Sequence, residues 1–186
     1  MKYKIVTPGT SKEVTLDNLS RNLKLHSEIY SIQEDGEVYL GPISHKTLVF
    51  FAVEFADYAL KNYAKKEIPE AEVCLSLTRK WIEGESSVSK EELRAAAAAA
   101  YAAAPAAANA AYAGAAAYAA GAAAYAAADA ANAAAYAAAA YAADAAAAYA
   151  ANAAGKDKDK DKDKELIRQG EFILDLLKSG KHLFLV

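Results

Sequence analysis

The sequence predicts a mainly α-helical protein, an Ala-rich helical bundle with a small N-terminal segment that contains a β-hairpin. Three observations lead to this fold class. First, 45 of the 60 residues from 95 to 154 are Ala, the residue with the highest helix propensity. Second, residues 46–66 and 164–180 repeat apolar side chains at helical spacing on either side of this run. Third, β-prone runs are concentrated in residues 1–43.

A chain of 186 residues is long enough to form one domain with its own core. We divide this single domain, residues 1–186, into four parts by composition. They are a mixed α/β segment (1–43), an Ala-rich helical core (44–155), a flexible Lys/Asp loop (156–164), and a C-terminal helix with its tail (165–186).

The N-terminal segment mixes strand and helix signals. The run "KYKIV" at 2–6 predicts a short strand. Leu residues at helical spacing predict a short helix over 15–23. Two β-prone runs then flank Asp35 and Gly36, a pair that is typical of hairpin turns.

The helical core begins with two amphipathic helices. The first is opened by Ser44 or Thr47, and its wide apolar face predicts that it is well buried. Pro69 suits the first turn of the second helix, over 69–85, and Gly84 ends it. The side chains that we expect this second helix to bury are Val73, Leu77, Trp81 and Cys74.

The third helix begins with a capping box. Ser89 and Glu92 have the spacing at which hydroxyl and carboxylate each satisfy a backbone N–H at a helix start. Pro105 removes a backbone donor, so we expect it to end this helix and begin the next.

The Ala run cannot be one straight helix. Sixty helical residues would extend ~90 Å, whereas a compact domain of this size has a radius of gyration of roughly 16 Å. The non-Ala residues change helix face near 105, near 113 and between 137 and 140, where we expect breaks. Ala faces allow helices to approach closer than the usual ~8–10 Å, and Tyr rings supply the missing bulk.

The most informative surface is a stripe of Tyr, Asp and Asn along the Ala helices. Tyr is enriched at protein interfaces, so we consider this stripe, with nearby acidic residues, as a partner-binding surface. The candidate residues are Tyr118, Tyr125, Asp129, Asn132, Tyr136, Asp144, Glu91 and Glu92. The alternative is that the rings fill the core against the helices at 46–66 and 164–180. Gly114 and Gly121, on the same helix face, favour close helix contact.

The end of the chain predicts a loop and a final helix. In "KDKDKDKDK" at 156–164, like charges stand at i,i+4 and no apolar residue is available for burial, which indicates a flexible loop. The following helix, 164–180, is expected to bury Leu166, Ile167, Gly170, Ile173, Leu174 and Leu177. The apolar tail 181–186 fits a strand that pairs with the N-terminal sheet.

Charge and composition restrict the partners and the compartment. The formal net charge is -3 and the pI is near 5.7, which argues against direct binding to nucleic acid or an anionic membrane. Pro, Asn and Asp interrupt the Ala run too often for a membrane-spanning helix. The single cysteine, Cys74, cannot form an internal disulfide. We therefore expect a cytoplasmic protein.

Catalytic and metal-binding spacings are missing from the sequence. His26, His45 and His182 are scattered, and Cys74 has neither a second cysteine nor a nearby base. No glycine-rich phosphate loop occurs. We therefore expect no catalytic residues, no metal and no cofactor, and a protein that is not an enzyme.

Residues 46–180 resemble the Ala-rich helical type of immunity protein found in bacterial polymorphic-toxin systems. The similarity lies in "FAVEFADYALKNY" (51–63), "RKWIEGESSVSKEELRAAAAAA" (79–100), the Ala run, and "KELIRQGEFILDLLKSG" (164–180). It implies a stoichiometric inhibitor that covers the active site of a toxin or effector enzyme and has no chemistry of its own.

Two other functions remain open at this point. A nucleotide-like small ligand could bind between aromatic rings, and a virus as well as a cell could use either mode to counter a defence enzyme. An ice-binding protein is the third reading, from the approximate 11-residue recurrence within the Ala run. Ice-binding helices of this kind use regularly spaced Thr, however, and no Thr follows Thr78.

Overall fold

A computed structural model of the chain describes residues 2–7, 10–15, 31–34, 37–39, 44–63, 67–108, 113–129, 138, 142 and 158–179. Within these ranges the protein is mainly helical, which confirms the predicted class. Its helices are α1 (His45–Tyr63), α2 (Pro69–Ile82), α3 (Lys90–Ala108), α4 (Ala113–Asp129) and α5 (Lys158–Lys178).

Four short strands precede the helices. They are β1 (Lys2–Thr7), β2 (Thr10–Thr15), β3 (Ser31–Glu34) and β4 (Glu37–Tyr39), in the order β2-β1-β3-β4. Neighbouring strands are antiparallel, and Ile5 pairs with both Lys12 and Ile32. The turn predicted at 35–36, the helix predicted over 15–23 beyond Thr15, and the tail 181–186 lie outside the described residues and stay predictions.

Helix α4 is the centre of the bundle, because it packs against α1, α2 and α3. Its sequence is almost entirely Ala, so it presents small side chains on every side. The buried alanines of α4 are Ala117, Ala119, Ala120, Ala123, Ala124, Ala126, Ala127 and Ala128. Methyl groups all around one helix allow three neighbours to approach it together. These alanines of α4 are therefore buried between helices, as predicted, while the predicted interhelical distance stays a prediction.

Helix α1 supplies much of the bulk that α4 lacks. Ser44 caps its start, since the backbone N–H of Thr47 donates to Ser44 Oγ at 3.1 Å. Phe51 and Phe55 are fully buried, and the ring of Phe172 from α5 lies edge-on to both, with centroids 6.2 Å apart. This aromatic cluster joins α5 to α1.

Helix α2 presents a different face to the core than the sequence predicts. Pro69 begins the helix and Gly84, with φ at 83°, follows its end, both as predicted. Val73, however, is 56% exposed, while Leu77 and Trp81 are only half-buried. The buried residues of α2 are Ala71, Cys74, Leu75, Thr78 and Ile82. The reason is that α2 packs against both α3 and α4, which turns its Cys74 side inward.

Helix α3 confirms one local prediction and corrects another. The backbone N–H of Ser89 donates to Glu92 Oε2 at 2.8 Å, and the backbone N–H of Glu92 donates to Ser89 Oγ at 3.1 Å, as in a capping box. The prediction that Pro105 ends the helix is wrong, because α3 continues to Ala108. A proline removes one helical hydrogen bond, and three alanines after it have the highest propensity to continue the helix.

Helix α5 begins at Lys158, so the flexible loop predicted over 156–164 is wrong from residue 158 onward. In this run the sequence places opposite charges at i,i+3 as well as like charges at i,i+4, and the opposite charges favour a helix. The amphipathic segment that follows also provides a helix onto which this turn can extend.

The rest of α5 largely has the predicted buried face. Leu166, Gly170, Ile173, Leu174 and Leu177 are buried. Ile167 is an exception at 38% exposure, because it lies at the edge of the apolar face. The helical residues Ala138 and Ala142 are buried too, which extends the Ala-rich core beyond α4.

Candidate functional site

The predicted Tyr stripe is only partly within the described residues. Tyr125 is half-buried, and its ring stacks on that of Tyr101 from α3 with centroids 5.5 Å apart and planes 27° from parallel. Both rings pack against the hydrophobic core. For Tyr125 the arrangement therefore combines core packing with a partly accessible ring.

The structure describes only some of the other residues of the stripe. Tyr118 lies in the middle of α4 and Asp129 is its last residue. Asn132, Tyr136 and Asp144 lie outside the described residues. Their gathering into one binding surface stays a prediction.

The acidic candidates Glu91 and Glu92 are both exposed in the first turn of α3. Glu92 is already used as a cap. Hydrogen bonds from the backbone N–H and the hydroxyl of Ser89 hold the pKa of the Glu92 carboxyl below its ordinary value. Glu91 is the more available of the two for a partner.

A cleft lies between α1 and α2 in the described part of the chain. Its volume is about 500 Å³. Its lining residues are Asp57, Leu60, Lys61, Glu67, Ile68, Glu72, Leu75 and Arg79. Three of these are buried and apolar, and the other five are charged. A cleft of this size falls within the range of roughly 300–1,000 Å³ found for ligand sites.

Arg79 organises one wall of this cleft. Its Nη2 atom lies 2.9 Å from Glu54 Oε1 and 3.0 Å from Asp57 Oδ2. Lys61 pairs with the same Asp57 oxygen at 2.8 Å. Burial lowers the pKa of the Arg79 guanidinium, but hydrogen bonds to Glu54 and Asp57 outweigh that effect and raise the pKa above its ordinary value. The guanidinium is therefore charged, and it is paired with two of the protein's own carboxylates.

Cys74 packs in the core, as the sequence predicts. It is buried on α2, and its Sγ donates to the carbonyl oxygen of Ala120 on α4 at 3.3 Å. Burial raises the pKa of the thiol to about 12. At neutral pH the group is a protonated thiol, which is a poor nucleophile.

Two further polar contacts tie the helices together. His45 Nε2 lies 2.9 Å from the carbonyl oxygen of Ala126, in the last turn of α4, and its ring meets Trp81 edge-on. On α5, the buried Glu165 accepts two hydrogen bonds from Arg168, at 2.6 and 2.9 Å. The Arg168 guanidinium lies 3.5 Å from the centroid of the Tyr58 ring on α1. These contacts fix the positions of α1, α4 and α5.

Within the described ranges, no group of three or more His, Cys, Asp or Glu side chains is placed to hold a metal ion. None of the described helices is both long and apolar enough to cross a bilayer.

Comparison with known proteins gives no match: no family model, no curated protein and no solved structure is similar to this chain. The resemblance to immunity proteins thus stays a hypothesis.

The cleft was not predicted from the sequence, although part of its signal is present. One helix face is formed by residues at spacings of four, three and four, beginning with the N-cap of α2. They are Ile68, Glu72, Leu75 and Arg79. The mixture of apolar and charged residues on that face is unusual for a core stripe. What the sequence does not contain is the position of α1, which closes the other side.

Proposed function

We propose that this protein is a non-enzymatic inhibitor of the immunity type, which binds a basic protein target and covers its working surface. The target is a toxin or a defence effector enzyme. One observation carries the proposal: the segment from residue 67 to 94 presents seven exposed carboxylates and only three exposed cations. The carboxylates are Glu67, Glu70, Glu72, Glu83, Glu85, Glu91 and Glu92, and the cations are Lys80, Lys90 and Arg94.

The exposed carboxylates of residues 67–94, which we name the acidic face, suit a target that itself binds an anion, such as a nucleic acid. Complementary charge speeds the encounter of two proteins and selects the partner. The exposed Val73 lies on the same segment, and apolar contact at the centre of a charged surface is a common source of binding energy. The acidic face and Val73 together form the contact surface in this proposal.

The remaining features fit this function. Cys74, the sole cysteine, is a protonated core thiol, which agrees with a protein without nucleophilic chemistry. A reducing, cytoplasmic setting suits an unpaired thiol. The N-terminal segment, with its predicted hairpin, is an accessory to the helical body in this proposal. Ice binding is not proposed, because the Ala surface of α4 is buried against its neighbours.

The test is stoichiometric inhibition. The tagged full-length chain is used to capture its target from the host, and the purified target is assayed against increasing amounts of the chain. We expect activity to fall to zero at a fixed molar ratio and to return at high salt, since the contact is electrostatic. Loss of target activity at far below equimolar chain would point to an enzyme, and unchanged activity of the captured protein would refute the proposal.

Small-ligand binding is the second candidate function, and the volume of the α1–α2 cleft favours it. Among the described residues that line the cleft, none has an aromatic ring to stack a base, and the acids outnumber the bases. A nucleotide is therefore a poor fit for this site. A thermal-shift screen with nucleotides and with cationic metabolites separates the two candidates.

A further inference from the structure

We propose that the α1–α2 cleft receives a single basic side chain, an arginine or a lysine, from the protein target. This inference rests on the proposed function and deepens it, because it names the chemistry that the acidic face recognises. Three observations support it: the floor of the cleft is apolar, its cations are already paired, and an anionic ligand fits it poorly.

The floor of the cleft is apolar. Leu60, Ile68 and Leu75 are 9%, 4% and 1% exposed, and all three line the cavity. An arginine or lysine side chain carries a long methylene stem, which lies favourably along such a floor while its charged end stays near water. A small inorganic cation would leave this apolar surface uncovered.

The cationic side chains of the cleft are already paired, whereas two of its carboxylates are unpaired among the described residues. Its two cations, Arg79 and Lys61, are both paired with Asp57, and Arg79 is also paired with Glu54. Glu67 and Glu72, which also line the cleft, are exposed, and neither forms an ion pair within the described part of the chain. The cleft therefore offers two carboxylates and no unpaired cation from its described residues.

An anionic ligand fits this arrangement poorly. The guanidinium of Arg79 already meets two carboxylates at 2.9 and 3.0 Å, so a phosphate or carboxylate ligand would share it with two anions that repel the ligand. It would also approach Glu67 and Glu72. A cation with an aliphatic stem meets neither obstacle, and a guanidinium can pair with a carboxylate through its planar fork.

The experiment uses the full chain and a small probe in place of the unidentified target. The probe is N-acetyl-arginine amide, followed by amide chemical shifts in two-dimensional NMR. We expect saturable shifts around Leu60, Glu72 and Leu75, with weak affinity. N-acetyl-citrulline amide has nearly the same shape without the charge, and we expect it to bind at least fivefold more weakly. N-acetyl-lysine amide then shows whether the planar guanidinium is required.

Paired variants give the decisive comparison. The double variant Glu67→Gln, Glu72→Gln removes these two charges and should weaken arginine binding by about fivefold to tenfold, since exposed pairs contribute modestly. The control Glu83→Gln, Glu85→Gln removes two equally exposed charges beyond the cleft and should leave binding within twofold. All four sites are exposed, and circular dichroism checks that both variants remain folded.

Three results would overturn the inference. They are the absence of saturable shifts near the cleft, equal binding of the citrulline probe, and equal weakening in both variants, which would indicate a general charge effect. The proposed function fails separately. If a captured target is inhibited and binds both variants equally, the proposed inhibitor function stands and the proposed role of the cleft is refuted. If the cleft binds arginine specifically but no target is inhibited, the role of the cleft stands and the inhibitor function is refuted.

Discussion

The ring of Tyr101 on α3 covers the backbone of Gly121 on α4 so closely that a side chain at position 121 has almost no room. A Cβ atom there would lie 3.1 Å from Tyr101 Cζ and 3.2 Å from the carbonyl oxygen of Ala97. This contact shows why a chain so rich in Ala still needs a glycine at this point. Here close packing opposes the helix propensity that Ala would add.

Replacing this glycine tests which effect is larger. Gly121→Ala gains about 1 kcal/mol of helix propensity but overpacks a contact in which one neighbour is backbone, which typically costs about 1–3 kcal/mol. We expect a net loss of about 1 kcal/mol in the free energy of unfolding, measured with urea. Ala102→Gly, at an exposed position on α3, is the control and should lose about 1 kcal/mol from propensity alone. A Gly121→Ala variant more stable than the wild type would show that α3 and α4 are not packed this closely.

The capping box should make stability depend on pH through Glu92. Hydrogen bonds from Ser89 lower the pKa of Glu92 in the folded state from its ordinary value of 4.5. A lowered folded pKa contributes stability that is present above the unfolded pKa and lost as pH falls through the folded pKa. We therefore expect the difference in urea midpoint between the wild type and Glu92→Gln to be largest above pH 5 and to shrink below pH 4.5.

The matched control for this prediction is Glu91→Gln. Residue 91 has the same charge and exposure in the same helical turn, but the capping hydrogen bonds belong to Glu92. Its pH dependence should be clearly weaker. Identical pH profiles for the two variants would attribute the effect to the helix dipole and not to the cap.

Two ion pairs should differ in strength because their carboxylates differ in burial. The side chain of Glu165 is 1% exposed, so Arg168→Met leaves a buried charge without its arginine and should cost about 3 kcal/mol. The carboxylates that pair with Arg79 are 17% and 29% exposed, so Arg79→Met should cost about 1 kcal/mol. Chemical denaturation of both variants measures this contrast. Equal losses would mean that burial of the carboxylate does not control the cost.

The thiol of Cys74 should be unreactive in the folded protein. It is buried, and its pKa is raised to about 12 by that burial, so almost no thiolate is present at pH 8. We expect no fast reaction with a chromogenic disulfide reagent in buffer and rapid reaction of one thiol per chain in denaturing urea. Fast labelling of the native protein would place Cys74 at the surface, and would contradict the packing of α2 on α4.

The sequence predicted the local features of the helices because they depend on residues within one or two turns. The capping box of Ser89 and Glu92, the start of α2 at Pro69 and its end at Gly84 are all of this kind. The Lys/Asp run differs from its predicted loop because it also places opposite charges at i,i+3. At Pro105 the alanines that follow continue the helix.

Only the tertiary structure decided which side of α2 is buried. Val73 and Cys74 are adjacent and both apolar, yet Val73 is exposed while Cys74 donates to Ala120. The periodicity of α2 does not encode which helices pack against it. The cleft beside Arg79 exists only because α1 forms its other wall. By itself the sequence determined a chain of Ala-rich helices with defined ends, since propensity and capping act over a few residues. The buried face of α2 and the cleft were set by packing between different helices, which no local pattern encodes.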